Sequence, residues 1–281
     1  MQEKSKQFNP KGKMSRTEKK DNQFKVKDKR EESEFQERED IVIGRNAVIE
    51  ALKGDRTIET LYISNNKLEG SINAIVSLAK EKRVLIKEVD RRKLDSMCNG
   101  ETHQGVIAKV TPFKYSEVSE ILALAEERKE HLFIVILDEI EDPHNLGSIA
   151  RTAELFGVHG IIIPRRRSAS VSMTVYKSSA GAIEHVKIAK VTNLNSTIDE
   201  LKQMGIWVYG TDIRAEEYSY QTDFSGPCAI IIGNEGKGIS KLTVQKCDKL
   251  IKIPMVGKIN SLNASVAGGI IMYEVLKGRL K

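Results

Sequence analysis

LFIVILDEIEDPHNLGSIARTAELFGVHGIIIP, residues 132–164, carries the pattern that decides the fold. Leu132–Asp138 is an almost unbroken apolar run, as a strand covered on both faces requires. A helix is predicted from Leu146 to Phe156, because Leu146, Ile149, Ala153 and Phe156 fall on one stripe. Gly157 suits its end. GIIIP (160–164) is a second apolar strand. Strand, helix and strand in such close succession make a βαβ unit with parallel strands.

The alternation continues toward the C-terminus. A helix is predicted near 171–179, then strand VKIAKV (186–191), a helix over 194–204 and strands IWVYG (206–210) and CAIIIG (228–233). A short helix near 239–246, strand KLIKIP (249–254) and a helix of roughly 263–277 follow. The expected fold class is α/β, with a parallel sheet covered on both faces over residues 132–281. Upstream, residues 113–131 form a charged, helix-prone linker. Residues 41–112 read as a separate small α/β unit. It holds helix NAVIEALK (46–53) with Asn46 as cap, strand TLYIS (60–64), a helix over Ser71–Lys82, strand RVLIKEV (83–89), a short helix Arg91–Met97 and strand GVIAKV (105–110). Residues 1–40 are charged and nearly free of aliphatic side chains, so disorder is expected there.

Charge placement narrows the partners. The 281-residue chain has a formal net charge of +6, yet residues 1–30 carry eleven Lys/Arg against four Asp/Glu. The basicity therefore lies in the tail, as a solubilising leader or an RNA tether. A nucleic-acid grip by the folded body needs local patches such as Arg165-Arg166-Arg167. Aromatic residues are 5%, too few for a broad base-stacking platform. Cys98, Cys228 and Cys247 have neither disulfide-framework nor zinc spacing, so idle thiols and no metal are expected. No apolar run matches a membrane span or a signal peptide, and a cytoplasmic location is expected.

Three loops at expected strand ends hold the candidate chemistry. DEIEDPHNLGSIARTAELFG (138–157) places Asn145 at a helix start, as cap or ligand, and Arg151 further along that helix, as ion-pair partner or site residue. IIGNEGKGIS (231–240) has glycines that admit close backbone approach, and Glu235 is a hydrogen-bonding or solvated turn carboxylate. Gly238 follows Lys237 where a P-loop needs Ser or Thr, and no dinucleotide fingerprint follows the first strand of either unit. IPMVGKINSLNASVAGGIIMYE (253–274) carries Ser261 and Asn263 before a small-residue helix, where either could simply cap it.

Together and in this order, the three blocks closely resemble the signatures of the SpoU/TrmH branch of the SPOUT methyltransferases. IVIGRNAVIEALK (41–53) and THQGVIA (102–108) resemble the ribosomal-protein-like substrate-binding domain of many members, nearest to RlmB-type enzymes. The resemblance implies an S-adenosylmethionine (AdoMet)-dependent methyltransferase acting on a ribose 2′-hydroxyl, with a guanosine of 23S rRNA as target and tRNA as the alternative. It implies a C-terminal deep trefoil knot and a homodimer. Gly233, Ile253 and Leu262 match the cofactor-binding positions. Asn145, Arg151, Glu235, Ser261 and Asn263 match the catalytic set. Residues 41–112 become the RNA-binding domain and 132–281 the methyltransferase domain. A non-catalytic RNA-binding or ribosome-assembly protein on the same fold is the rival of another class.

Overall fold

The computed structural model describes residues 40–65, 70–98, 101–259 and 261–280. The tail expected over 1–40 lies outside the described residues, apart from Asp40.

The N-terminal unit is built on β1 (Ile41–Ile43), β2 (Ile58–Ser64), β3 (Leu85–Val89) and β4 (Val106–Val110), in the order β1-β4-β2-β3. β4 pairs antiparallel with β1 and β2, and β3 pairs parallel with β2. Three helices, α1 (Arg45–Lys53), α2 (Ile72–Glu81) and α3 (Arg91–Met97), connect them. α1 buries Ala47, Val48, Ala51 and Leu52, neighbours on one helical face. Asn46 is not its cap. The helix starts at Arg45, behind Gly44, whose φ of 87° suits glycine. The Arg45 N–H donates to Gln104 Oε1 at 2.8 Å, so a side chain distant in sequence supplies the acceptor.

The C-terminal unit has seven strands: β5 (Phe133–Asp138), β6 (Gly160–Pro164), β7 (Lys187–Val191), β8 (Trp207–Thr211), β9 (Glu217–Tyr218), β10 (Cys228–Gly233) and β11 (Lys249–Lys252). Their order is β7-β6-β5-β10-β8-β11-β9, and every pairing is parallel. Helices α4 (Val118–Arg128), α5 (Pro143–Leu155), α6 (Met173–Ser178), α7 (Leu194–Gln203), α8 (Lys241–Lys246) and α9 (Ala264–Arg279) complete it. The interior strand β5 is buried throughout, and its residues alternate between two cores. Phe133, Val135 and Leu137 join Ile149 and Ala153 of α5 and Ile271 of α9. Ile134 and Ile136 join Ile121 of α4 and Ile198 of α7. Both sheet faces are therefore covered, which explains the unbroken apolar run.

β9 and the segment 113–131 also differ from expectation. β9 has two residues, too few to show alternation in sequence. The segment 113–131 is more than a linker. Ser116 N–H donates to Ile188 O at 2.8 Å, and Ile121 occupies the space where a Cβ on Gly160 would lie 2.5 Å from its Cδ1.

A buried polar cluster joins the two units. Arg56, just before β2, stacks 4.8 Å from the Tyr176 ring centroid, and its Nη1 lies 3.7 Å from Glu184 Oε1. Both charged side chains are only 6% exposed. Arg56 Nε also donates to Thr111 O. Burial raises the Glu184 carboxyl above its usual range, and Arg56 pulls it partly back. Removing one partner of such a pair strands the other charge. Arg56→Ala is therefore expected to cost about 3–5 kcal/mol, read as a lower urea midpoint. An unchanged midpoint would show that the cluster does not hold the units together.

No disulfide joins Cys98, Cys228 and Cys247. Burial pushes the Cys228 thiol up to about 11 and the Cys247 thiol up to about 12, so both stay protonated and unreactive at neutral pH. Among the described residues no helix is long and apolar enough to cross a membrane.

Candidate active site

Because every strand of the larger sheet is parallel, their carboxyl ends share one edge, where ligands bind in open α/β sheets. The loops after β5, β10 and β11 meet there.

After β5, Asp142 caps α5, its Oδ1 accepting from His144 N–H at 2.9 Å, and Pro143 opens the helix. The helix thus begins earlier than the sequence pattern implied. Aspartate followed by proline is a strong start, since proline lacks only an N–H that the first turn leaves unpaired anyway. Asn145 is not the cap but lies within the first turn, 6% exposed, with its side chain free for other partners.

Those partners come from the other two loops. Asn145 Nδ2 donates to Glu235 Oε1 at 2.8 Å, and Asn145 Oδ1 accepts from Asn263 Nδ2 at 2.8 Å. Asn263 Nδ2 also donates to Glu235 Oε1, which accepts the Ala264 N–H at 3.1 Å as well. Asn263 is in addition the cap of α9, its Oδ1 accepting from Ser265 N–H at 3.0 Å and Val266 N–H at 3.2 Å. One residue serves both the capping role and the network. Glu235 is a turn carboxylate, but an engaged one.

The loop carrying Glu235 is held tightly. Asn234 and Gly238 exchange backbone hydrogen bonds at 3.1 and 2.7 Å. Asn234 Oδ1 accepts from Gly236 and Lys237 N–H, and its Nδ2 donates to Glu139 O at 3.1 Å. Gly233 is essential to this closure, because a Cβ there would lie 2.3 Å from Gly238 C and Ile239 N. Gly268 lets α9 sit close on Ile232, where a Cβ would meet that side chain at 2.6 Å.

Beside the network lies an open cavity of about 450 Å³. Gly233, Ile253 and Leu262 line it, with Glu235 and Ser261. Asn145 and Asn263 do not line it but donate to Glu235, which does. Arg151 stands apart. It is exposed and does not line the cavity, and its side chain makes no hydrogen bond or ion pair among the described residues. Six residues at 100° each also put it off the Asn145 face of α5. Sequence reasoning missed Asp212 and Arg214, which line the cavity as a two-point pair at 3.0 and 2.6 Å. Their place just past β8 is the signal that could have found them. It also missed Asp138, whose buried Oδ2 accepts from Ser240 N–H at 2.8 Å and steadies the far end of the glycine loop.

A doubly covered parallel sheet, with a polar network and a small-molecule cavity at its carboxyl edge, defines an α/β enzyme domain that binds a ligand of metabolite size. Comparison with known proteins names it. The model of the SpoU rRNA Methylase family matches residues 132–273, and that for RNA 2′-O ribose methyltransferase substrate binding matches 41–116. YacO of Bacillus subtilis, named for the TrmH tRNA/rRNA methyltransferase family, is 51% identical over 85% of this chain and 96% of its own. A Staphylococcus haemolyticus relative named for the same family is 47% identical over 86% and 97%. The SpoU methyltransferase AviRb from Streptomyces viridochromogenes, solved with AdoMet, superposes with a TM-score of 0.72 at 25% identity, covering 85% of this chain and 90% of that one. An AdoMet-bound rRNA methyltransferase from Sinorhizobium meliloti gives 0.70 at 25% identity, over 86% and 88%.

The chain belongs to the SpoU family of AdoMet-dependent RNA methyltransferases. The cavity fits such a ligand. Its volume is in the small-molecule range, and its wall at Gly233 leaves no room for a side chain.

Proposed function

We propose that the protein methylates a ribose 2′-hydroxyl, with a guanosine of 23S rRNA as target. The observation that carries this reading is the network joining Asn145, Glu235 and Asn263 at the rim of the cavity. The match of residues 41–116 to a 2′-O ribose substrate-binding model supports the ribose as acceptor. In this reading residues 41–112 select the RNA, 113–131 connect, and 132–281 carry the chemistry. Gly233, Ile253 and Leu262 would hold AdoMet, which supplies an already activated methyl group.

The chain's own residues then position the acceptor. Arg151 grips the phosphate beside the target ribose and stabilises charge developing on the hydroxyl oxygen. A guanidinium, with a pKa above ~12, is a poor proton acceptor, so its role is electrostatic. Glu235 and Asn145 fix the geometry, and Ser261 and Asn263 shape the loop near the hydroxyl. The reading includes a deep trefoil knot, a rare exception to unknotted topology. It includes a homodimer as well, supported by Leu155, Val266 and Tyr273, apolar yet 67%, 49% and 52% exposed on α5 and α9. The cytoplasm is the setting for such a substrate.

Glu235→Ala tests the network. It would leave the buried Asn145 amide without its acceptor, at a cost of about 1–3 kcal/mol. Loss of positioning is expected to slow methyl transfer on the order of 10²-fold. A variant as fast as wild type would remove Glu235 from the machinery. The target itself is tested by transfer to undermodified large-subunit rRNA and, separately, to tRNA, with the modified nucleoside mapped by mass. Modification of rRNA alone supports the reading, and modification of tRNA alone replaces the substrate.

A further inference from the structure

The loop after β6, from Arg165 to Ser172, is held from several sides. Arg165 N–H donates to Val191 O at 2.8 Å, Ala169 N–H to Ile140 O at 2.8 Å, and Val171 N–H to Tyr115 Oη at 3.0 Å. Ser168 Oγ donates to Pro164 O, and Lys190 Nζ to Ser170 Oγ at 2.9 Å. Arg167, at a left-handed φ of 55°, pairs with Glu139 at 2.7 Å, and Glu139 is itself left-handed at 58°. Non-glycine residues persist in that region when their surroundings over-determine them.

What this framework displays is charge. Arg165 and Arg166 are exposed, and among the described residues neither side chain makes a hydrogen bond or an ion pair. Of the carboxylates that act on this loop, Glu139 is already taken by Arg167, with Lys237 Nζ 3.9 Å from its other oxygen, and Glu141 makes no ion pair with either free arginine among the described residues. Glu139 O also accepts from Asn234, the neighbour of Glu235. The two free guanidiniums therefore stand on a well-held loop tied through Glu139 to the loop that carries the polar network. Holding the backbone still while leaving two arginines unneutralised suits a ligand with regularly spaced anionic oxygens.

We propose that Arg165 and Arg166 bind backbone phosphates of the substrate RNA next to the modified nucleotide, and that Arg167 is a structural residue of the loop. This rests on the reading of the protein as an RNA methyltransferase. The two guanidiniums sit on the larger unit, so they fix register at the site, separately from recognition by residues 41–112. They contribute affinity and positioning without sequence preference.

The test is filter binding of an unmodified large-subunit rRNA transcript over a KCl series, with AdoHcy affinity measured in parallel. Arg165→Ala/Arg166→Ala is expected to bind the RNA roughly tenfold or more weakly. The slope of log K against log salt should fall by about 1.4, from about 0.7 per phosphate contact on single-stranded RNA. AdoHcy affinity should not change. Arg165→Lys/Arg166→Lys should restore the slope, because the charges remain. Wild-type affinity and slope in the alanine variant, with wild-type enzyme methylating RNA, would overturn the phosphate assignment alone. Wild-type enzyme that binds AdoHcy but methylates neither rRNA nor tRNA would overturn the functional reading, and the assignment with it.

Discussion

Arg151→Ala is expected to lower methyl transfer by about 10²–10³-fold, the loss typical when one preorganised donor to developing charge is removed. AdoHcy affinity should stay at the wild-type level, because Arg151 does not line the cavity. Stability should barely change, since Arg151 is exposed and its side chain makes no hydrogen bond or ion pair among the described residues. That combination, a large kinetic loss with intact cofactor binding and folding, separates a site residue from a surface arginine. Arg151→Lys sharpens it. A lysine keeps the charge but loses the planar fork, so it should recover only part of the activity. Its pH–rate profile should keep the wild-type shape if the group at 151 stabilises charge rather than accepting a proton. Near-wild-type activity in the lysine variant would argue against a two-point grip.

Gly233→Ala should act on the other half of the site. The added carbon would lie 2.3 Å from two backbone atoms, and backbone closed by hydrogen bonds at both ends cannot swing aside as a side chain can. Overpacking of about 1–3 kcal/mol would open the loop that walls the cavity. AdoHcy binding is then expected to weaken by roughly 10- to 100-fold. Gly226→Ala is the matched control, because a Cβ there meets nothing within 4 Å. Equal AdoHcy affinity in the two variants would remove Gly233 from the cofactor site.

The parts of the fold legible in sequence were those with a local cause. β5 and β10 are buried on both faces, so their apolar runs announced them. α7 begins at an Asn193 cap and shows a clear apolar stripe. The start of α5 was misplaced because Asp142-Pro143 resembles loop until proline is taken as the first helical residue. The family blocks named Asn145, Glu235 and Asn263, but not their hydrogen bonds. Those link positions 90 and 118 residues apart and exist only once β5, β10 and α9 converge. The same limit hid the Arg167–Glu139 pair, 28 residues apart, and so hid which arginines of 165–167 remain free. The Arg56 cluster was invisible for a related reason. A lone arginine before a strand carries no sign that another unit will bury it.

The most direct test of the central claim is where the methyl group goes. RNA treated with the enzyme and methyl-labelled AdoMet should be hydrolysed in alkali and its products weighed. Alkaline cleavage needs a free 2′-hydroxyl, so ribose methylation leaves the label in alkali-stable dinucleotides that yield a 2′-O-methylnucleoside, as this account predicts. Label recovered in alkali-labile mononucleotides would place the methyl on a base and contradict it.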